Sequence, residues 1–346
     1  MKPDRLYLDH AATTPVLPVV KAAMADALAH WANPSSPHGE GRAARAALEN
    51  ARQRIGRALA WDGEILFTSG ASEAIALALK GFDAEASAVE HDAVISAVGD
   101  TQRLPVDAIG IVHLAKVVAG RRYAIQQVNN ETGVIQPLAQ LGAIIRDSGG
   151  ILVADCSQGA GKLPLPDADI IILSAHKLGG PPGLGALLVR DLALLRPTGG
   201  QEKGYRRGTE NLPAIIGLAA ALEAGFDWLA NAGRLREKLD EAIEAAGGEV
   251  VAKTAPRLAT IGSYRMAGVS ASSQLISFDL AGISVSAGSA CSSGTLKASH
   301  VLTAMGWDAK AAGEVVRVSF GPQTGDADIE RFMAAWTAIR ERAQAA

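Results

Sequence analysis

Cysteine is scarce in this sequence. Cys156 and Cys291 are the only two, far apart and without metal-type spacing. This argues against a cysteine-built metal site and suits a reducing cytoplasm. A marked excess of charge of either sign is also missing. The formal net charge is -3 and the basic residues are scattered, so there is no electrostatic case for nucleic acid or an anionic membrane as partner. No long uncharged apolar run occurs. The polar start, Met1 to Arg5, does not read as a secretory signal, and Leu212 to Leu222 is too short to cross a bilayer. No internal repeat or low-complexity stretch appears. What remains is a 346-residue chain, 48% hydrophobic and 20% charged, ordinary for a soluble protein of two domains or one large one.

The informative stretch runs from Ile151 to Arg190. A short apolar run ends in Asp155, a turn passes through Gln158, and a second run from Asp169 to Leu173 closes on Ser174-Ala175-His176-Lys177. Two such runs joined by a crossover read as buried parallel strands with polar groups at their carboxyl ends, the edge where α/β sheets bind ligands. An acid after one strand and a lysine after the next is what pyridoxal phosphate requires. The lysine takes the cofactor's aldehyde, and the carboxylate keeps the ring nitrogen protonated. Taken alone, an Asp helix cap and a surface Lys is the more ordinary explanation of the pair. The Gly-rich turn Gly179 to Gly185 is not a dinucleotide motif, because it feeds a strand, Ala186 to Arg190.

Other segments carry similar polar groups after apolar runs. Leu6 to Pro15 is a short arm before a helix from Val16 to Trp31, and a second helix spans Gly41 to Ala60. A strand over Glu64 to Thr68 leads through Ser69-Gly70-Ala71-Ser72-Glu73 into a helix ending near Lys80. The turn reads either as a phosphate cradle of backbone N–H groups or as a simple capping box with Ser69 or Ser72 as cap. Strands over Ala86 to Val89 and Ala124 to Val128 end at Glu90-His91 and at Asn129-Asn130-Glu131-Thr132-Gly133. From Arg234 the pattern becomes helix, then short strands over Gly248 to Val251, Leu258 to Ile261 and Gln274 to Leu280, and a last helix from Asp326. That alternation reads as a second, smaller α/β domain. In the stretch Ser286 to Gly294 every residue except Cys291 is Gly, Ser or Ala, which predicts mobility, an odd setting for a structural cysteine. Cys156, after Val153 and Ala154, fits the buried class. Arg317 on the apolar run Val315 to Gly321 reads either as an edge-strand residue in solvent or as a buried cation that should meet an anion, for which a substrate carboxylate is a natural partner.

From Tyr7 to Gly321 these motifs resemble, in order, those of the cysteine desulfurases, class V aminotransferases of fold-type I with the short Ser-Gly-Ser-Ala-Cys loop. The resemblance implies a large domain with a mostly parallel seven-stranded sheet, residues 13–232. It also implies a small domain made of residues 1–12 and 233–346. It implies pyridoxal 5'-phosphate held by Ala71, Ser72, His91, Asn130, Asp155, Gln158, Ser174, His176, Lys177 and by Thr209 from a second subunit. The resemblance also implies L-cysteine held by Asn130 and Arg317, catalysis by Lys177, His91 and Cys291, and a homodimer without a metal. Sulfur would pass from Cys291 to a protein acceptor such as an iron–sulfur scaffold. A class V aminotransferase or lyase without need of Cys291, a selenocysteine lyase, and a non-catalytic scaffold that has lost its cofactor are the alternatives. The sequence departs from the family pattern at Ala175, where Gly is common, at Ser72, where Thr is common, and in a shortened region from Gly81 to Tyr123. It also stops at Ala346 without the longer docking tail of some relatives.

Overall fold

The structure is a computed structural model that describes residues 5–114, 116–288 and 299–345. Cys291 and its neighbours from 289 to 298 lie outside the described residues. The first half runs β1 (Leu6–Tyr7), α1 (Pro18–Ala29), α2 (Gly39–Ala58), β2 (Glu64–Thr68), α3 (Ala71–Leu79), β3 (Ala84–Ser87), α4 (Asp92–Val98), β4 (Arg103–Leu104), β5 (Arg122–Ala124), α5 (Leu138–Asp147), β6 (Ile151–Asp155), β7 (Ile170–Ser174) and β8 (Gly185–Val189). There follow α6 (Leu212–Glu223), α7 (Leu229–Ala245), β9 (Glu249–Val250), β10 (Ile261–Arg265), α8 (Ala271–Leu280), β11 (Ile283–Ser284), α9 (His300–Ala304), α10 (Ala309–Ala312), β12 (Val315–Ser319) and α11 (Asp326–Gln344).

Seven strands form one sheet in the order β2-β8-β7-β6-β5-β3-β4. Only β8 runs antiparallel, against β2 on one side and β7 on the other. Apart from Asp155 and Ser174, which end β6 and β7, the central strands β6, β7 and β8 are apolar, and every residue of β7 and β8 is buried, as a sheet covered on both faces demands. Period-two alternation divides them between two cores. Leu152, Ala154, Ile171 and Leu173 face α2, α5 and α6, while Val153, Ile170 and Ile172 face α3 and α4. Because β2, β3, β5, β6 and β7 all point the same way, Thr68, Ser87, Ala124, Asp155 and Ser174 end at one edge.

The antiparallel sheet β12-β10-β9 has its own core, where Phe278 of α8 stacks on Phe332 of α11 at 4.9 Å. Leu6 and Leu8 of the N-terminal arm belong to this core, and β1 pairs in parallel with β11.

Three expectations are corrected. Gln274–Leu280 is helical, as part of α8, with Ser270 capping it through the Ser273 N–H. Apolar Ile276, Phe278 and Leu280 mimic strand alternation, but Ile276 and Leu280 are exposed, and the buried set is Ala271, Gln274 and Phe278. The strand expected over Leu258 to Ile261 begins at Ile261. The strand expected over Ala124 to Val128 is regular only over Arg122–Ala124, although Ile125 and Gln127 still donate to Val153 and Asp155.

Candidate functional site

The shared edge of the large sheet opens into a cavity of about 390 Å³. Ala71, Ser72, His91, Asn130, Asp155, Gln158, Ser174, His176, Lys177 and Arg317 all line it. Thr209 does not line this cavity and sits on an exposed segment of the same chain.

At one end, α3 begins with Gly70 as N-cap and no side-chain cap bond. The capping box with Ser69 or Ser72 as cap is therefore not formed, and the first-turn N–H groups stay available at the positive helix end. A Cβ on Gly185 would come within 2.5 Å of the Gly70 carbonyl carbon. Only glycine at the start of β8 lets that turn sit where it does.

At the other end, the carboxyl ends of β6 and β7 supply the acid and the amine. Asp155 Oδ1 accepts the Ser157 N–H at 2.9 Å. Gln158 Nε2 donates to the Ala11 carbonyl at 2.8 Å, and its buried Oε1, like the buried Ser157 Oγ, has no partner among the described residues. These polar atoms can be satisfied by a ligand in the cavity. Lys177 stands on a short 3-10 turn, Ala175–Lys177, whose carbonyls the arm holds. The Thr14 N–H donates to the His176 carbonyl at 2.9 Å, and the Thr14 hydroxyl to that of Lys177 at 3.3 Å.

His91 caps α4, its Nδ1 accepting the Ala93 N–H at 3.1 Å, so a neutral ring carries its hydrogen on Nε2. Burial first, and then the Lys177 charge, lowers the basicity of both His91 and His176. Asn129 is structural: its Oδ1 accepts the Glu131 and Thr132 N–H groups at 2.9 and 2.8 Å, and its Nδ2 binds the Val89 carbonyl. That turn leaves Asn130 facing the cavity.

Arg317 does meet an anion within the chain. Its Nη2 donates to Asp9 Oδ1 at 2.7 Å and its Nη1 to the Asn130 carbonyl at 3.0 Å, while its buried Nε has no partner among the described residues. Asp9 was not singled out in the sequence, where a short polar arm carries no sign of a partner 308 residues away. The stems on either side of residues 289–298 are also tied to the site. Ser286 exchanges backbone hydrogen bonds with Arg317, Ser299 donates to Glu131 at 2.6 Å, and His300 Nε2 lies 2.8 Å from the Glu90 carbonyl.

Glu90 is fully buried behind His91, accepting from Ser87 and from the Gln126 N–H. Burial pushes its carboxyl up to about 8, with the Asp155 charge adding to the rise, so it is protonated at neutral pH. In the unfolded chain it would titrate near 4.3, so its contribution makes native stability fall as pH rises from there to about 8. Glu90→Gln is expected to flatten that fall, read as Tm against pH. An unchanged slope would mean that Glu90 is ionised in the native state.

Cys156 is fully buried, and burial, aided by the Asp155 charge, pushes its thiol well up. Among the described residues, no group of three or more His, Cys, Asp or Glu side chains is placed to hold a metal ion, and no helix is long and apolar enough to cross a membrane.

The aminotransferase class-V family model matches residues 6–332. The chain is 34% identical to cysteine desulfurase IscS 1 of Archaeoglobus fulgidus, over 97% of each chain. Its fold is similar to a NifS-like protein from Rickettsia africae, with a TM-score of 0.89 and 30% identity over 97% of this chain and 99% of that one. A structure described as SspA in complex with cysteine gives a TM-score of 0.80 and 29% identity, over 92% of this chain and all of the other.

Proposed function

The chain belongs to the class-V aminotransferase family, and from that premise we propose a pyridoxal-phosphate-dependent cysteine desulfurase that converts L-cysteine to L-alanine and carries the sulfur on Cys291. One observation carries the reading: Lys177, Asp155, Gln158, His91, Asn130 and Arg317, contributed by separate segments, share one cavity.

The lining fits the cofactor. Unpaired Gln158 Oε1 and Ser157 Oγ, the uncapped turn at Gly70, and an acid and an amine at adjacent strand ends match a phosphorylated pyridine aldehyde. When bound, pyridoxal phosphate supplies the electron sink that makes an amino acid's Cα proton removable. We assign the phosphate to Ala71, Ser72, Ser174 and His176, the ring nitrogen to Asp155, the ring oxygen to Gln158 and the ring face to His91. Thr209, on its exposed segment, would reach the phosphate of a second copy, so the working unit is a homodimer. Separate cores support the division into residues 13–232 and residues 1–12 with 233–346.

Asn130 and Arg317 hold the substrate carboxylate. Lys177 takes the proton from Cα and returns it to the product. The Cys291 thiolate attacks the substrate sulfur; an S–S bond forms, the C–S bond breaks with its electron pair left on the carbon side, and alanine leaves. The resulting persulfide would pass its sulfur to a protein acceptor such as an iron–sulfur scaffold, in the reducing cytoplasm.

Supplying L-cysteine and a thiol reductant to the cofactor-loaded protein is expected to give alanine and sulfide in equal amounts. A keto acid without sulfide would turn the reading to an aminotransferase. Arg317→Leu is expected to raise KM for L-cysteine by roughly 10–100-fold, the worth of a hydrogen bond to a charged group, with cofactor content unchanged. An unaltered KM would remove Arg317 from substrate binding.

A further inference from the structure

Arg317 reaches the wall of the sheet-edge cavity already paired, while its partner Asp9 stands behind it and does not line the cavity. A guanidinium has five N–H donors. One on Nη2 serves Asp9 and one on Nη1 serves the Asn130 carbonyl, which leaves the others, the buried Nε among them, for a ligand. The pair is shielded from water, with 6% of the Arg317 side chain and 21% of the Asp9 side chain exposed. Charge on Asp9 is therefore felt at Arg317 with little screening.

The backbone keeps Asp9 at this post. Its carbonyl accepts the Ala12 N–H at 3.1 Å and the Tyr7 hydroxyl at 3.2 Å. On either side, the Ser319 N–H donates to the Leu8 carbonyl at 2.8 Å, the Leu8 N–H to the Ser284 carbonyl at 2.9 Å, and the Ala11 N–H to the Ser319 hydroxyl at 2.8 Å. None of these bonds uses the Asp9 carboxylate, so removing its charge leaves the arm in place.

We propose that Asp9 is a positioning residue acting through Arg317, a built-in counter-ion that loosens the hold of Arg317 on an amino-acid carboxylate so that the product can leave. Substrate and product carry the same α-carboxylate. An interaction equally strong with both lowers KM without speeding the chemical step, and tighter binding of this kind appears mainly as slower release. A buried guanidinium with no anion of its own would grip that carboxylate hard. With Asp9 in place the pair has no net charge, and an incoming carboxylate meets repulsion from Asp9 together with attraction from Arg317.

The other acidic groups near Arg317 do not share this role. Glu131 also feels the Arg317 charge, but burial is the larger influence and raises its carboxyl, favouring the neutral form. The Tyr7 hydroxyl is pushed up to about 12 by burial and then by the Asp9 charge, with Arg317 opposing, so it is neutral. Asp155, the carboxylate that lines the cavity among the described residues, is assigned to the ring nitrogen.

The proposal rests on the reading of Arg317 as the carboxylate site. Cofactor-loaded protein is titrated with L-alanine and, separately, with L-alaninamide, which lacks the carboxylate, and both affinities are measured by calorimetry. Asp9→Asn keeps the shape and an oxygen to which Arg317 can donate, but removes the charge. It is expected to tighten L-alanine binding by roughly 10-fold and to leave L-alaninamide binding unchanged. Unchanged or weaker L-alanine binding overturns the proposal, the weaker result making Asp9 an aligning group alone. Equal tightening of both ligands also overturns it, because the cause would then be the shape of the cavity. If Asp9→Asn does not fold, Asp9→Ser carries the same comparison. Failure to form sulfide from L-cysteine, by contrast, would bear on the desulfurase reading alone.

Discussion

Lys177→Ala is expected to lower the release of alanine from L-cysteine by about 10⁴-fold, the upper end of what a positioned acid–base group contributes, while the fold persists. The backbone argument for persistence is direct. The turn that carries Lys177 is held by main-chain bonds, Ala175 N–H to the Leu184 carbonyl at 3.1 Å and the Thr14 contacts to residues 176 and 177, none of which uses the amine. Lys177→Arg is expected to be equally inactive, because a guanidinium keeps the charge but cannot give up its proton to act as a base. A separate readout follows from the electrostatics. Removing the Lys177 charge relieves one cause of the lowered basicity of His91 and His176, so in cofactor-free Lys177→Ala both imidazoles should titrate at higher pH by NMR. Retention of a tenth or more of wild-type turnover would sink the assignment of Lys177.

Cys291→Ser is expected to abolish sulfide and alanine formation from L-cysteine while leaving cofactor content and the spectral response to added L-cysteine intact. The two-cysteine composition makes this sharp. Cys156 is fully buried under the sheet edge, with its thiol pushed toward the unreactive neutral form, and a nucleophile must be an accessible thiolate. Sulfur transfer through a cysteine of this chain thus falls to Cys291. Persulfide on the protein, trapped with an alkylating reagent and located by peptide mapping, should appear at Cys291 in wild type and nowhere in the variant. Equal product from both proteins would remove Cys291 from the mechanism, and persulfide on Cys156 would overturn the argument from burial.

The central fold was legible because its strands are short, apolar and followed by polar residues. Glu64–Thr68 and Ile151–Asp155 announce themselves in composition and length, and their shared direction brings Asp155 and Lys177 together. Residues that act from strand ends were readable for the same reason. What escaped lies where tertiary contacts decide. In α8 a buried polar residue hides the helical period: Gln274 donates to the Val269 and Glu314 carbonyls at 2.8 Å, so a core position reads as surface. Asp9 gains its meaning only from Arg317. The uncapped start of α3 was also beyond composition, since Ser69 and Ser72 are both competent caps and only the packing of Gly185 on Gly70 shows that neither is used.

The N-terminal arm is synthesised first and paired last. Leu6 and Tyr7 wait for Ile283 and Ser284, the Leu8 carbonyl for the Ser319 N–H, and Asp9 for Arg317. At ribosomal rates of about 5–20 residues per second, some 300 residues take roughly 15–60 s to appear. For that interval Leu6 and Leu8 have no core to enter, and the β1 edge is open to other chains. The large sheet can assemble in the meantime, because its last strand ends at Val189. The nascent protein therefore passes through a stage with the sheet-edge residues assembled and the Asp9–Arg317 clasp still open. Ribosome-bound chains stalled before and after residue 319 should differ in how readily a protease removes the arm.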